Sequence, residues 1–321
     1  MKKRILSLLL ILCMAVTLLS MAAFAAEETG GTEPTANETV DVATLQQLQN
    51  ALNDAADANS GNTTINLTAD ITVGEDNEWH SVRVIANGGI VTLNGNGKTI
   101  TGLDAPLFGS SGTGTSGIVI KNLTLDKADI TVDEQDTTRT TGVGAFIQYA
   151  GAADPVTLEN CKLTNSSVKG GHWAGGLIGY TAGFSEIGNG ERASYVTLTN
   201  CSVTNSSVTS KGSVGGLIGH AGGDAWTYST ITNCDVSNCT LNGKYVGDLV
   251  GTAGVGQLTI DKATVDHTTG NDRTQASGTG SAIENGLVGR AVLGGTGLLV
   301  VAGKVTAAEG TVALVISAQG N

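Results

Sequence analysis

The stretches VTLENCKLTNSSVKGGHWAGGLIGYTAG, from Val156 to Gly183, and VTLTNCSVTNSSVTSKGSVGGLIGHAGG, from Val196 to Gly223, align without a gap at an offset of 40 residues. Self-similarity at a fixed period marks an array of stacked units, each too small to bury its own apolar side. Within a unit, apolar and polar residues alternate as strands require. Val156, Leu158, Cys161, Leu163 and Val168 fall on one side, and Thr157, Glu159, Lys162 and Thr164 on the other. The first set is expected to face inward. Each unit then reaches a glycine-framed apolar phrase: GGLIG at Gly175–Gly179, GGLIG at Gly215–Gly219, GDLVG at Gly247–Gly251 and GLVG at Gly286–Gly289. This reads as the third strand of each turn, with Leu177, Leu217, Leu249 and Leu287 turned inward. Three short strands per unit, stacked in register about 4.8 Å apart, make a parallel β-solenoid in which like residues sit above like.

The same grammar extends towards the N-terminus. Period-two segments run through Ile65, Leu67, Ile71 and Val73, then Ile90 to Leu93, then Ile118 to Ile120 and Leu123 to Leu125. Asn and Gly punctuate them, at Asn94-Gly95-Asn96-Gly97, Asn122, Asn160, Asn200 and Asn233, where the chain is expected to bend through a left-handed backbone. Before the strands, Thr44 to Gln47 fits a T-x-x-Q capping box, and Leu45, Leu48, Leu52, Ala55 and Ala56 share one helical face. An amphipathic helix there would cover the open end of the first turn. Residues 26–40 are acidic and lack apolar periodicity, so they read as a disordered leader. Residues 1–25 combine Lys2, Lys3 and Arg4 with an apolar run from Ile5 to Leu19 and Ala23-Phe24-Ala25, the pattern of a cleaved export signal. The expected boundaries are therefore signal peptide 1–25, leader 26–40, capping helix 41–59 and β-helix 60–321.

Composition narrows the function. The formal net charge is −12, and cleavage of the signal peptide removes three cations, Lys2, Lys3 and Arg4, making the remaining chain more acidic still. Nucleic acid and anionic lipid need clustered Lys and Arg, so neither is an expected partner. No membrane insertion is expected after signal cleavage, because Leu298 to Val301 is too short to span a bilayer. Cys13 lies within the apolar run without the small residues of a lipid anchor before it. Cys161, Cys201, Cys234 and Cys239 remain after cleavage. Their even number in an exported chain admits disulfides, whereas the repeated contexts ENCKL, TNCSV and TNCDV place the first three at equivalent positions and favour buried thiols.

The segments TLQQLQNALNDA, TTINLTADITV, VTLNGNGKTITG and IVIKNLTLDKADI resemble the N-terminal portion of pectin-lyase-like right-handed parallel β-helices. GGLIG, GDLVG and GLVG resemble the GLUG motif of bacterial surface proteins. The resemblance implies an all-β right-handed parallel β-helix with an N-terminal capping helix, in a superfamily that hosts lyases, hydrolases and adhesins, so fold alone does not decide function.

Candidate chemistry is sparse. A pectate-lyase-like enzyme needs clustered carboxylates for Ca2+ and a nearby Arg or Lys as base. Asp129, Asp133, Glu134 and Asp136 are the densest acidic cluster, but their spacing fits no compact calcium loop and solvated loop charge explains them. Asp266, His267, Asp272 and Arg273 lie close in sequence, yet adjacent Asp266 and His267 would point to opposite faces of a strand. His80, His172, His220 and His267 show no zinc-binding spacing. The phrases N-T-D, D-D, G-H-G and R-I-K of polygalacturonases are absent. No cofactor is expected. Trp79, Trp173, Tyr180, Trp226 and Tyr228 fall in or beside variable loops, where flat aromatic faces would be displayed for glycan or protein contacts. The sequons Asn165-Ser166-Ser167 and Asn205-Ser206-Ser207 read as turn geometry. The reading is a secreted or cell-surface adhesion module that contacts glycan or a partner protein. The alternative is a polysaccharide lyase or glycoside hydrolase acting on acidic polysaccharide. The C-terminal edge is expected to be covered by a partner or by further sequence.

Overall fold

In the computed structural model, residues 37–56, 61–74, 78–84, 89–111, 117–132, 142–151, 155–182, 184–186, 190–192, 194–223, 227–254, 256–266, 268–270, 287–291, 298–302, 304–307, 310–313 and 316–319 are described. Alternation in these segments does what the sequence prescribes. Val156, Leu158, Cys161, Leu163 and Val168 are fully buried, as are their counterparts Val196, Leu198, Cys201, Val203 and Val208 one coil on. The two coils pair in parallel, with Val156 opposite Val196, Leu163 opposite Val203 and Val168 opposite Val208. The chain is a right-handed parallel β-helix.

The expected third strand resolves into more than one. A full coil runs through Val156–Glu159, Lys162–Thr164, Ser167–Gly170, Trp173–Gly175 and Ile178–Ala182. These contribute in turn to sheets of 10, 9, 5, 4 and 7 strands, here sheets 1 to 5. Five segments replace the three expected because the stretch from Val156 to Gly170 bends twice, at Asn160 and Asn165, into three strands, and because GGLIG is a corner and not a strand. Gly175 ends the strand of sheet 4, Gly176 and Leu177 make the bend, and Ile178 begins sheet 5. The inward assignment of the leucines nevertheless holds, since Leu177, Leu217 and Leu249 are 0% exposed and Leu287 3%.

Close approach explains the glycines of that corner. A Cβ on Gly175 would lie 2.1 Å from the carbonyl oxygen of Ile178, and one on Gly219 would lie 2.6 Å from that of Gly179 and 2.7 Å from the nitrogen of Ala174. Sheets 4 and 5 thus meet backbone against backbone, a contact that any side chain would prise apart.

The bends beside sheet 1 have a different cause. Asn122, Asn160, Asn200 and Asn233 hold φ between 53° and 54°, a left-handed conformation that Asn tolerates better than other residues with a Cβ. Their amides form a ladder along the coils: Asn160 donates to Asn122 at 3.0 Å, Asn200 to Asn160 at 3.1 Å and Asn233 to Asn200 at 2.7 Å. Each side chain satisfies the next, so the polar column carries little desolvation cost.

The N-terminal region departs from the expected boundaries. Glu38–Val42, assigned to the leader and the start of the helix, is a strand that pairs in parallel with Thr63–Leu67. Helix α1, Leu45–Ala56, is therefore the crossover between the first two rungs of sheet 1, the connection that parallel strands require. Its cap forms as read: Thr44 Oγ1 accepts from Gln47 N at 3.3 Å. The Gln47 side chain reaches one residue further back than the standard box and accepts from Ala43 N at 2.9 Å. Leu48, Leu52 and Ala55 are buried in the core. At the other end, Ile316–Gln319 and Gly310–Ala313 turn back antiparallel on Leu298–Ala302 and Lys304–Ala307. The last strands of sheets 1 and 2 are thus covered on that side by the chain itself. The signal-like segment 1–25 lies outside the described residues, among which no helix is long and apolar enough to cross a membrane.

Candidate functional site

Between sheets 2 and 3 the chain turns through a second left-handed column, Lys127, Asn165, Asn205 and Asn238, with φ from 50° to 52°. The turn is re-entrant. It draws the next residue of each coil inward, so Ala128, Ser166, Ser206 and Cys239 are buried and the corner opens as a lateral groove of about 580 Å³ lined by successive coils from Lys127 to Thr240. Buried Ser166 is satisfied, with its hydroxyl donating to Thr164 O at 2.6 Å and accepting from Ala128 N at 2.9 Å. Ser206 repeats this one coil on, donating to Thr204 O at 2.7 Å and accepting from Ser166 N at 3.1 Å. The floor is rigid because every coil is tied to the next.

Backbone groups along the groove are already used. Ser167 N donates to Ala128 O at 2.7 Å, Ser207 N to Ser166 O at 2.8 Å and Thr240 N to Ser206 O at 2.9 Å. Side chains are what a visitor meets: exposed Asn165, Asn205, Asn238 and Thr240, and half-buried Ser167 and Ser207. Asn165 donates to Asp126 Oδ1 at 2.8 Å, and its own oxygen accepts from Asn205 at 3.4 Å. The Asn165 amide, with help from the Thr164 hydroxyl, holds the Asp126 carboxyl below its ordinary value of 3.8. At the N-terminal end Lys127 and Asp129 are both exposed and oppose one another in charge. This lining offers hydrogen bonds in a periodic row and, among the described residues, no grouped carboxylates.

The residues singled out from sequence divide sharply. Trp79 is not on display: it is 2% exposed, and its indole N–H donates to Pro106 O at 3.0 Å. Trp173 is 7% exposed. It begins a sheet 4 strand, and its ring stacks on Tyr180 of sheet 5 at 4.6 Å and 15°. His220 lies 4.9 Å from the same indole, and Tyr149 stacks on Tyr180 at 5.1 Å. Tyr149, Tyr180 and His220 are register partners on consecutive coils. The aromatic column therefore fills the mouth of the glycine corner and serves as packing. The expectation that Trp79 and Trp173 project into solvent fails, because neither flanking loop composition nor position in the unit reveals that another segment folds over them.

Tyr228 fits the expectation better. It is half-buried and stacks at 5.2 Å and 16° on Tyr195, which is 51% exposed. Sequence reading passed over Tyr195, although its position just before VTLTN gave the signal: it pairs in register with Tyr228 on the outer face of sheet 1. Trp226, Asp133, Glu134, Asp136, His267, Asp272 and Arg273 lie outside the described residues. Asp129 is exposed at the start of a sheet 3 strand and Asp266 ends a sheet 2 strand, so the two lie on different sheets; among the described residues no group of His, Cys, Asp and Glu is arranged to hold a metal ion.

The thiols are free and buried. Cys161, Cys201 and Cys234 occupy one column, with Cys201 N donating to Cys234 Sγ at 3.4 Å. Contact with the Cys201 thiol, together with burial, raises Cys161 and Cys234, and burial raises Cys239. Protonated and enclosed, these three are poor nucleophiles.

Comparison with known proteins adds one match. The family described as "Putative pectate lyase-like adhesive domain" matches residues 39–240, a span that takes in the capping helix, the Asn corners and the whole groove. No curated protein and no solved structure matches.

Proposed function

Because the chain belongs to the pectate lyase-like adhesive domain family, we propose that it is an exported, surface-exposed adhesion module that holds its partner in the groove between sheets 2 and 3. The observation that carries this reading is the groove's construction, a rigid floor with a row of hydroxyl and amide groups repeated on consecutive coils. Such a row suits binding at many weak points, whose energies add along an extended ligand. The basic and apolar signal-like segment Met1–Ala25 supports export. Acidity supports solubility outside the cell and disfavours polyanionic partners.

The test is direct. The full chain, applied to an array of glycans and extracellular matrix proteins, is expected to bind at least one class. Ser207→Lys, which fills the centre of the groove, is expected to abolish that binding with folding intact. Binding that survives Ser207→Lys, or no binding to any class, overturns the proposal.

A further inference from the structure

We infer that the groove reads a neutral, extended polysaccharide, one sugar unit per coil. This rests on the adhesion reading above and specifies its ligand. Three observations lead to it, concerning period, charge and the kind of groups presented.

The period comes from the sheets. Ser167, Ser207 and Thr240 are register partners on adjacent rungs of sheet 3, so equivalent groups recur about every 4.8 Å and four coils span about 14 Å. A polypeptide strand advances about 3.3 Å per residue and returns to the same face only after about 6.7 Å. It falls out of step with the rungs at once. The rung spacing is close to the length of one pyranose unit in an extended chain, so a polysaccharide can repeat the same contact on each coil.

Charge selects among polysaccharides. Among the described residues that line it, the groove carries one exposed cation, Lys127, and one exposed anion, Asp129, in a chain of net charge −12. A polyuronate or sulfated glycan would meet repulsion from the net negative charge of the molecule, with no basic row among the described lining residues to offset it. A neutral polymer escapes that penalty.

The groups presented complete the argument. The strand N–H groups of Ser167, Ser207 and Thr240 are consumed by inter-coil bonds, which leaves a peptide no edge to extend. Ser167 and Ser207 line the groove beside Asn165 and Asn205, and hydroxyl and amide groups of this kind can both donate to and accept from sugar hydroxyls.

The experiment measures affinity of the full chain for neutral β-linked oligomers of glucose, mannose and N-acetylglucosamine, from dimer to hexamer, by isothermal titration calorimetry. With the matching sugar, affinity is expected to climb with each unit up to the tetramer and then level. Excision of residues 156–195 removes one coil and joins Pro155 to Val196 in the register that Val156 now holds. It is expected to move the plateau to the trimer, with the far-UV spectrum retained. Ser167→Ala with Ser207→Ala keeps all coils and is expected to weaken tetramer binding about tenfold, the loss of two modest hydrogen bonds. Affinity indifferent to oligomer length overturns the inference. So does tighter binding of polygalacturonate, or a groove-dependent interaction with peptide or protein alone, although either leaves the adhesion reading in place. Failure to bind anything removes both.

Discussion

Two corners of each coil repeat with the same fidelity, yet one opens outward and the other closes on itself. At the asparagine corner, Asn165 and Asn205 bend the chain through a left-handed turn and leave a polar row facing solvent. At the glycine corner, Gly175 and Gly179 let two sheets touch along their backbones, and Trp173 with Tyr180 seals the mouth. The difference teaches that periodic sequence marks periodic structure, and that display is a separate matter. The tryptophan-bearing segment at Trp173 turned out to be packing, while the repeated sequons turned out to frame the accessible groove.

Substitutions can break this contrast at its strongest point first. Gly219→Val would drive a side chain into the carbonyl of Gly179 and the backbone of Ala174. A loss of about 3 kcal/mol or more is expected, read as a lowered urea midpoint; a wild-type midpoint would refute the close approach. Trp173→Ala empties the closed corner and is expected to cost about 3 kcal/mol while leaving groove binding unchanged. Its control is Tyr195→Ala on the exposed outer face, expected within about 0.5 kcal/mol of wild type. If the two variants melt alike, Trp173 is not packing.

Asn200→Ala sharpens the other side of the comparison. It removes the hydrogen bonds to Asn160 and Asn233 and places alanine at a φ of 54°, so a loss of about 1–2 kcal/mol is expected. Asn200→Gly should recover the conformational part, and equal losses for the two would assign the whole effect to the ladder. The smallest effect concerns titration. Asn165 is the main cause of the lowered Asp126 carboxyl, so Asn165→Ala should raise the Asp126 midpoint towards 3.8 in a carbon-detected NMR titration. Because the folded value is depressed, this contact stabilises the protein above the ordinary carboxylate value and is lost as pH falls through the folded one. An unchanged midpoint would remove Asn165 as the cause.

Legibility in the sequence followed the range of the physics involved. The inward set from Val156 to Val168, the left-handed asparagines and the capping box at Thr44 depend on neighbours a few residues away, and each was readable. The strand Glu38–Val42 was not, because only Val42 is fully buried and its strand character comes from pairing with Thr63–Leu67. The division of GGLIG between two sheets was hidden for a similar reason. Glycine on both sides of Leu-Ile fits a strand and a corner equally well until the opposing backbone is in view. The groove left a partial trace in its sequons, while Tyr195 gained meaning only beside Tyr228.

By itself the sequence determined that this chain stacks in coils, which side chains form its interior columns and where asparagine bends it. A 40-residue offset and strict alternation leave no other way to bury the apolar set. Only the tertiary structure decided which outward-facing residues meet water. Alternation assigns a side chain to one face of its own strand, and whether that face stays open depends on a distant segment: sheets 4 and 5 close on each other over glycine, whereas nothing among the described residues folds over the asparagine corner.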